Sequence, residues 1–217
     1  MADKKFSIVI PVHNSEKTLA ACLDSCIGQS YRNIEIFCVD DYSTDTSPDI
    51  LKQYAEKDNR LRFISLSENV NSYMARKIGL QYVTGDYILF LDSDDTLVPD
   101  ACETIDGRLH GEEIDIVEFG YTCIPGGNMM LPPRSITLKD RLQDLLSSDP
   151  HLPSAIWTLA YKRQLLLLAF SKTRDFNAFM AEDVYISIIV LYYAKTFMTL
   201  NKPLVNYSTS GMSNTKT

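Results

Sequence analysis

The sequence predicts an α/β fold, with a mostly parallel central sheet and flanking helices. Three observations carry that expectation. Short apolar runs alternate with helical stretches through the first hundred or so residues, which is the rhythm of βαβ units. The runs are apolar throughout, as strands buried on both faces are. Three of them end in polar loops, Pro11-Val12-His13-Asn14, Asp40-Asp41-Tyr42-Ser43 and Asp92-Ser93-Asp94-Asp95. In open α/β sheets ligands bind beyond the carboxyl ends of the strands, so these loops should converge on one edge.

The elements follow in order. Phe6–Val12 is the first strand, and Leu19, Cys22, Leu23, Cys26 and Ile27 then recur at helical spacing. Ile34–Val39 is the second strand. Ser47-Pro48 opens the next helix, because proline is tolerated where the amide has no helical partner. Leu61–Leu66 is the third strand, and a helix with Ala75, Ile78 and Tyr82 on one face follows. Gly85-Asp86 turns into a fourth strand, Tyr87–Leu91. The second half is less regular. It reads as a helix from Pro99 to about His110, a strand over Ile114–Tyr121, a loop from Pro125 to Arg134 and a helix over Lys139–Ser147. A break at Pro150 to Pro153 precedes a strand over Ala155–Tyr161 and a short helix, Arg163–Phe170. A buried helix over Glu182–Ala194 and a strand over Thr196–Tyr207 complete the pattern, and the tail from Ser208 is expected to fray.

The 217 residues suit one domain with a sizeable core. Net charge is −7 and no basic run occurs, which argues against a nucleic-acid partner. The five cysteines, at 22, 26, 38, 102 and 123, are odd in number, and read as reduced thiols in the cytoplasm rather than a disulfide framework. Cys22 and Cys26 fall on the buried stripe of a helix, which weighs against a metal pair. The amino-terminal apolar stretch is too short and β-branched for a signal peptide. The longest apolar run, Tyr185 to Ala194, is too short to span a bilayer.

Four places could carry chemistry. Asp92, Asp94 and Asp95 crowd the exit of an apolar strand. If the strand continues, Asp92 and Asp94 share one face and Asp95 takes the other. Crowded carboxylates repel unless a cation or donors neutralise them, and an oxygen-only set suits magnesium or manganese held together with substrate phosphates. The bland alternative is a solvated turn before a helix. One carboxylate of Asp40-Asp41-Tyr42-Ser43-Thr44-Asp45 could accept a hydrogen bond from a base N–H, or the segment could form an Asx turn leading to the Ser47 cap. Arg76 could pair with a phosphate or with the acidic cluster, or lie on the surface. Glu182-Asp183 opens an apolar helix, where carboxylates are routine caps but where one could also be a general base; Val184, Ile188 and Leu191 follow Asp183 at near-helical spacing and suggest that its side of the helix faces inward.

At these residues the chain resembles the family 2 inverting glycosyltransferases. The resemblance is dense over Phe6 to about Asp100, through SIVIPVHNSEKTL, QSYRNIEIFCVDD, STDTS, SENVNSYMARKIGL and GDYILFLDSDDTLVP. It thins to DIVEFGY, WTLAYKR, AEDVYIS and KPLVNYS. It implies the GT-A fold, with a Rossmann-like nucleotide-sugar-binding half at residues 1–100 and an acceptor-binding half at 101–217 of one catalytic domain. Pro11, Val12, His13 and Glu16 would line the nucleoside pocket, Asp41 would hold the base, and Asp92 with Ser93 the ribose. Arg76 would assist at the donor. Asp94 would ligate a manganese or magnesium ion in a DXD motif, and Asp183 would be the catalytic base. The implied activity is inverting transfer from a nucleoside-diphosphate sugar, a UDP-sugar, to a glycan or lipid-linked acceptor in polysaccharide or surface-glycan synthesis. Such a protein is expected in the cytoplasm, with peripheral association at the inner membrane face.

The chain also departs from the family pattern. His13 stands for a usual Tyr, Tyr42 and Asn71 for usual glycines, Lys77 for a common Asn and Leu159 for a frequent Lys. No histidine follows His151, so a late histidine metal ligand is missing. An aromatic residue fits a positive φ poorly. Tyr42 is therefore expected to leave that conformation, or to lay its ring over the base or ribose. Two other readings compete. One is a degenerate transferase that binds a nucleotide or partner without turnover. The other is a nucleotidyltransferase, which wants a glycine-rich phosphate loop that PVHNSEK does not supply.

Overall fold

The computed structural model describes residues 3–132, 137–146, 156–173 and 182–209. Its strands form one nine-stranded sheet. The first half builds β1 (Phe6–Val12), α1 (Leu19–Ile27), β2 (Ile34–Asp40), α2 (Ser47–Lys57), β3 (Leu61–Ser65), α3 (Asn71–Gly79) and β4 (Tyr87–Phe90). The order β3-β2-β1-β4 is parallel throughout, and β1, β2 and β4 are buried along their whole length. Each fully buried Val, Leu or Ile side chain there contributes about 1.5–3 kcal/mol.

The second half supplies β5 (Thr96–Leu97), α4 (Ala101–Leu109), β6 (Ile116–Ile124), β7 (Met129–Met130), α5 (Leu138–Leu146), β8 (Leu159–Lys162), α6 (Arg163–Lys172), α7 (Glu182–Tyr193) and β9 (Phe197–Ser208). Here the sheet turns mixed. β8 runs antiparallel to both β4 and β6, and β6 runs parallel to β9. Two short strands, β5 and β7, have no counterpart in the sequence pattern, because pairs of two residues carry no readable period. The break at Pro150 to Pro153 lies outside the described residues. The strand expected from Ala155 instead begins with a 3-10 turn, Ile156–Thr158, before β8.

Two helix faces differ from expectation. In α3 the buried residues are Tyr73, Ala75, Arg76 and Gly79. Tyr82 lies beyond the helix and stacks on Phe37 at 5.0 Å. A side chain at Gly79 would meet Val9 Cγ1 at 2.6 Å, so the glycine lets α3 lie close on β1 and β2, which places Arg76 one turn earlier against the sheet. In α7 the buried residues are Ile186, Ser187, Val190 and Leu191, whereas Val184 and Ile188 are half-buried. The inward face therefore runs from Asp183 through Ser187, one turn on, and not along Val184 and Ile188.

Pairing of β1 with β4 stops at Val9 and Phe90, whereas β1 stays paired with β2 to Val12 and Asp40. Beyond that point β1 has left β4, and Pro11, which has no N–H to offer a ladder, lies in that unpaired stretch. β1 is also where the strand order reverses, with β2 on one side and β4 on the other. A crevice at such a switch point is where open α/β sheets bind ligands.

Candidate functional site

The crevice is an open cleft of about 240 Å³ lined by Pro11, Val12, His13, Asp41, Ser72, Arg76, Asp92, Ser93 and Asp94. Four loops reach it, and all but the one after β4 turn on a residue with positive φ. These are Asn14 (49°) after β1, Tyr42 (58°) after β2 and Asn71 (74°) at the start of α3. Asparagine tolerates that region, and Asn71 gains from it by accepting a bond from Met74 N at 3.1 Å, as a helix cap does. Tyr42 keeps the glycine-like conformation, so the first of its two expected outcomes fails and a ring laid over the base or ribose is the one left; the residue is 52% exposed. The loops are cross-tied. His13 Nδ1 meets the Asp41 carbonyl at 2.7 Å, Asn69 Nδ2 approaches the same ring nitrogen at 3.2 Å, and Asn14 Nδ2 meets His13 Nε2 at 3.1 Å. Asp41 is buried, and its Oδ1 accepts the Val70 amide at 2.7 Å. The expected Asx turn leading to Ser47 is also present, at Asp45, whose Oδ1 accepts from Ser47 N at 2.9 Å.

The Asp92–Asp95 segment does not continue β4. Asp95 N bonds the Asp92 carbonyl at 3.0 Å, which folds the four residues into a turn. Asp92 and Asp94 line the cleft, while Asp95 is turned into the protein at 1% exposure. Asp95 Oδ1 accepts the Ser208 amide at 2.7 Å, and its Oδ2 has no hydrogen-bond partner among the described residues. Burial pushes the Asp95 carboxyl up to about 8; the Ser208 bond opposes this, and the Asp92 and Asp94 charges add to it. Asp94 is also raised, first by desolvation and then by Asp92. Ser93 Oγ pairs with Ser15 Oγ at 2.6 Å, so the turn is pinned to the loop after β1.

Arg76 is not a surface residue. It is 4% exposed, and its two terminal nitrogens take separate carboxylates. Nη2 donates to Asp92 Oδ1 at 2.6 Å and Nη1 to Asp183 Oδ1 at 3.1 Å. Asp183 is thereby brought to the cleft from the far half of the chain. Glu16 differs from the other expected residues. Its carboxylate accepts from Thr46 Oγ1 at 2.9 Å and Thr46 N at 3.3 Å, at the start of α2, and it does not line the cleft. Sequence reasoning missed Ser72 and Asn69, and it separated Asp95 from Asp92 and Asp94 by continuing the strand where the structure does so by a turn. Ser72 and Asn69 lie in the block SENVNSYMAR, where a polar run before a helix was the available signal.

No group of three or more His, Cys, Asp or Glu side chains among the described residues forms a metal site by itself. The donors present still fit a hard divalent ion. Asp92 and Asp94 offer oxygen only and line one cleft, where the Asp92 charge helps to raise Asp94. Magnesium-like ions take one or two carboxylates and complete their shell with water and substrate phosphates. Cys22 and Cys26 are both buried on α1, and Cys22 Sγ donates to the Asp92 carbonyl at 3.6 Å. No helix among the described residues is long and apolar enough to cross a membrane.

Residues 7–168 match the family model described as Glycosyl transferase family 2. Glycosyltransferase GlyA of Streptococcus pneumoniae serotype 4 is 30% identical over 219 aligned residues, covering 95% of this chain and 31% of GlyA. Crystalline S. aureus TarS 1-349 in complex with UDP shares the fold at a TM-score of 0.78 and 24% identity, covering 94% of this chain and 60% of that one. A mannosyltransferase from Pyrobaculum calidifontis, in complex with GDP-Man and Mn2+, superposes at 0.64 with 17% identity over 92% of this chain and 55% of its own. The chain thus spans about a third to two thirds of the length of these proteins.

Proposed function

The chain belongs to glycosyl transferase family 2, and from that premise we propose that it moves a sugar from a nucleoside-diphosphate donor, a UDP-sugar, to an acceptor hydroxyl with inversion. Residues 1–100 hold the donor and residues 101–217 the acceptor. The observation that supports this reading best is the convergence of eight expected residues, Pro11, Val12, His13, Asp41, Arg76, Asp92, Ser93 and Asp94, on one cleft, with Asp183 bonded to its Arg76. UDP bound to the structural relative TarS is consistent with it.

Each residue has a chemical task. Val12, Pro11 and the His13 ring face the base, and Asp41 accepts from a base N–H. Asp92 and Ser93 take ribose hydroxyls. A divalent manganese or magnesium ion held by Asp94 supplies charge neutralisation for the diphosphate. The acceptor oxygen attacks the anomeric carbon from the face opposite the diphosphate. The new C–O bond forms as the sugar–phosphate bond breaks, and the electron pair leaves with the nucleoside diphosphate. The acceptor proton passes to the Asp183 carboxylate. One displacement inverts the anomeric centre. The acceptor class is a glycan or lipid-linked glycan of a surface polysaccharide.

The test is a panel of nucleoside diphosphates and their sugars, with and without manganese, read by thermal stabilisation and by transfer to a glycan acceptor. UDP with manganese should stabilise most, because a ligand that binds only the folded state raises stability by mass action. A guanosine or cytidine diphosphate that stabilises more than UDP overturns the donor assignment. Stabilisation by no nucleotide overturns the proposed function.

A further inference from the structure

We propose that Arg76 is a positioning residue: its guanidinium ties Asp183, at the start of α7, to Asp92, at the end of β4, and so sets the base against the donor cleft. This rests on the transferase reading above and deepens it.

The tie joins parts of the chain that lie far apart in sequence and share one apolar core, in which Tyr73 of α3 meets Phe170 of α6 at 5.7 Å between ring centres. The helix contacts of α7 are made chiefly with α5 and α6, both from the second half. Arg76 belongs to α3, which packs on β1 and β2. Its two terminal nitrogens hold carboxylates separated by more than ninety residues of chain, at 2.6 and 3.1 Å.

Electrostatics make the tie necessary. Asp92 and Asp183 are about 30% exposed, but the guanidinium between them is 4% exposed, where water screens poorly. Without a cation, two carboxylates held this close would repel across the cleft, with Asp94 beside them. A guanidinium suits the task because its planar fork fixes two acceptors at once. A lysine ammonium is a point charge on a flexible stem and cannot set that angle.

The same geometry separates this role from phosphate binding. Both terminal nitrogens already hold carboxylates, so the guanidinium charge is engaged by Asp92 and Asp183 before any donor phosphate arrives. A residue that acts through Asp183 should govern turnover, and one that binds donor phosphate should govern affinity.

The experiment measures UDP affinity, donor KM and kcat for the parent, Arg76→Lys, Arg76→Gln, Asp183→Asn and the double variant Arg76→Gln/Asp183→Asn. Amide exchange of residues 187–190 is followed in parallel, because their helical acceptors lie in the first turn of α7. Arg76→Gln should lower kcat by about 10²-fold and leave UDP affinity within about threefold of the parent. Arg76→Lys keeps the charge and folds, yet its kcat should also fall. The double variant should be no slower than Asp183→Asn, since residues acting as a unit are not additive. Exchange at 187–190 should quicken in Arg76→Gln. Lost UDP affinity with kcat retained, or additive losses in the double variant, overturns the assignment. So does unchanged exchange, which judges the tie even if the parent proves inactive. A parent that neither binds UDP nor transfers sugar counts instead against the proposed function.

Discussion

The two ends of the sheet treat their carboxylates in opposite ways. At the amino-terminal end of the strands Glu35 is buried and fully engaged. It accepts from Thr84 N at 2.6 Å, Ser7 Oγ at 2.7 Å and Gly85 N at 3.0 Å, and pairs with Lys5 and Arg62 at 3.1 Å each. Burial alone would raise its pKa, but these donors and Lys5 outweigh it and hold it down at about 2. Glu113, bonded to Lys162 and Lys4, is held at about 2 as well. At the carboxyl-terminal end Asp94 and Asp95 are raised, one Asp95 oxygen lacks a partner among the described residues, and three loop residues carry positive φ. The first end fastens strands together. The second leaves charge under-compensated and backbone strained, as sites built for a ligand do.

The comparison can be broken most strongly at Asp183. Asparagine keeps the shape but cannot take a proton, so Asp183→Asn should cut transfer by about 10²–10⁴-fold while UDP binding stays nearly intact. Glu182→Gln should do less. Transfer at the parent's rate in Asp183→Asn would move the base assignment to Glu182.

At the opposite end Glu35→Gln should cost on the order of 3 kcal/mol of stability, with transfer per folded molecule unchanged. The pH dependence follows the lowered pKa. The Glu35 contribution is complete above the ordinary value of 4.5 and is lost as pH falls towards about 2. Denaturant melts from pH 7 to pH 2 on parent and variant should therefore converge in acid. Parallel curves would show that Glu35 is not held in its charged form.

Asp94→Ala should remove the manganese-dependent part of UDP stabilisation, a share of the whole ligand effect of about 2.7 kcal/mol at a ligand concentration a hundred times Kd. Thermal melts with UDP, with and without manganese, measure it. An undiminished manganese effect excludes Asp94 from the metal site.

The smallest effect is expected at Tyr42. Relief of the left-handed conformation in Tyr42→Gly should offset glycine's entropy and stabilise the free protein by about 1 kcal/mol. A fall in UDP affinity in the same variant would show that the exposed ring also covers the donor. If stability and affinity both stay unchanged, Tyr42 is neither strained nor a donor contact.

How far the molecule could be read in advance differs between its halves for a physical reason. β1, α1, β2, α2 and β4 lie within a residue of their expected bounds where both ends were expected, because continuous apolar runs and a proline at a helix start are local signals. The second half has strands that pair antiparallel and across long separations, so β5, β7 and the turn before β8 depend on partners the local pattern does not contain. Asp183 shows the same limit within one helix. Its inward position was expected from Val184, Ile188 and Leu191, of which Leu191 alone is buried. The real face, through Ile186, Ser187 and Val190, is set by packing on α5 and α6.

By itself the sequence determined the alternation of strand and helix, the three polar strand ends and the crowding of acids after β4. These follow from side-chain hydrophobicity and from charges only one or two residues apart. The tertiary structure alone decided that Asp92–Asp95 closes into a turn with Asp95 inward. It also decided that Glu16 serves α2 instead of the cleft, and that Arg76 holds Asp92 and Asp183 together. Those outcomes depend on which distant groups meet in space, and a guanidinium can join two carboxylates only after the sheet has brought them within reach.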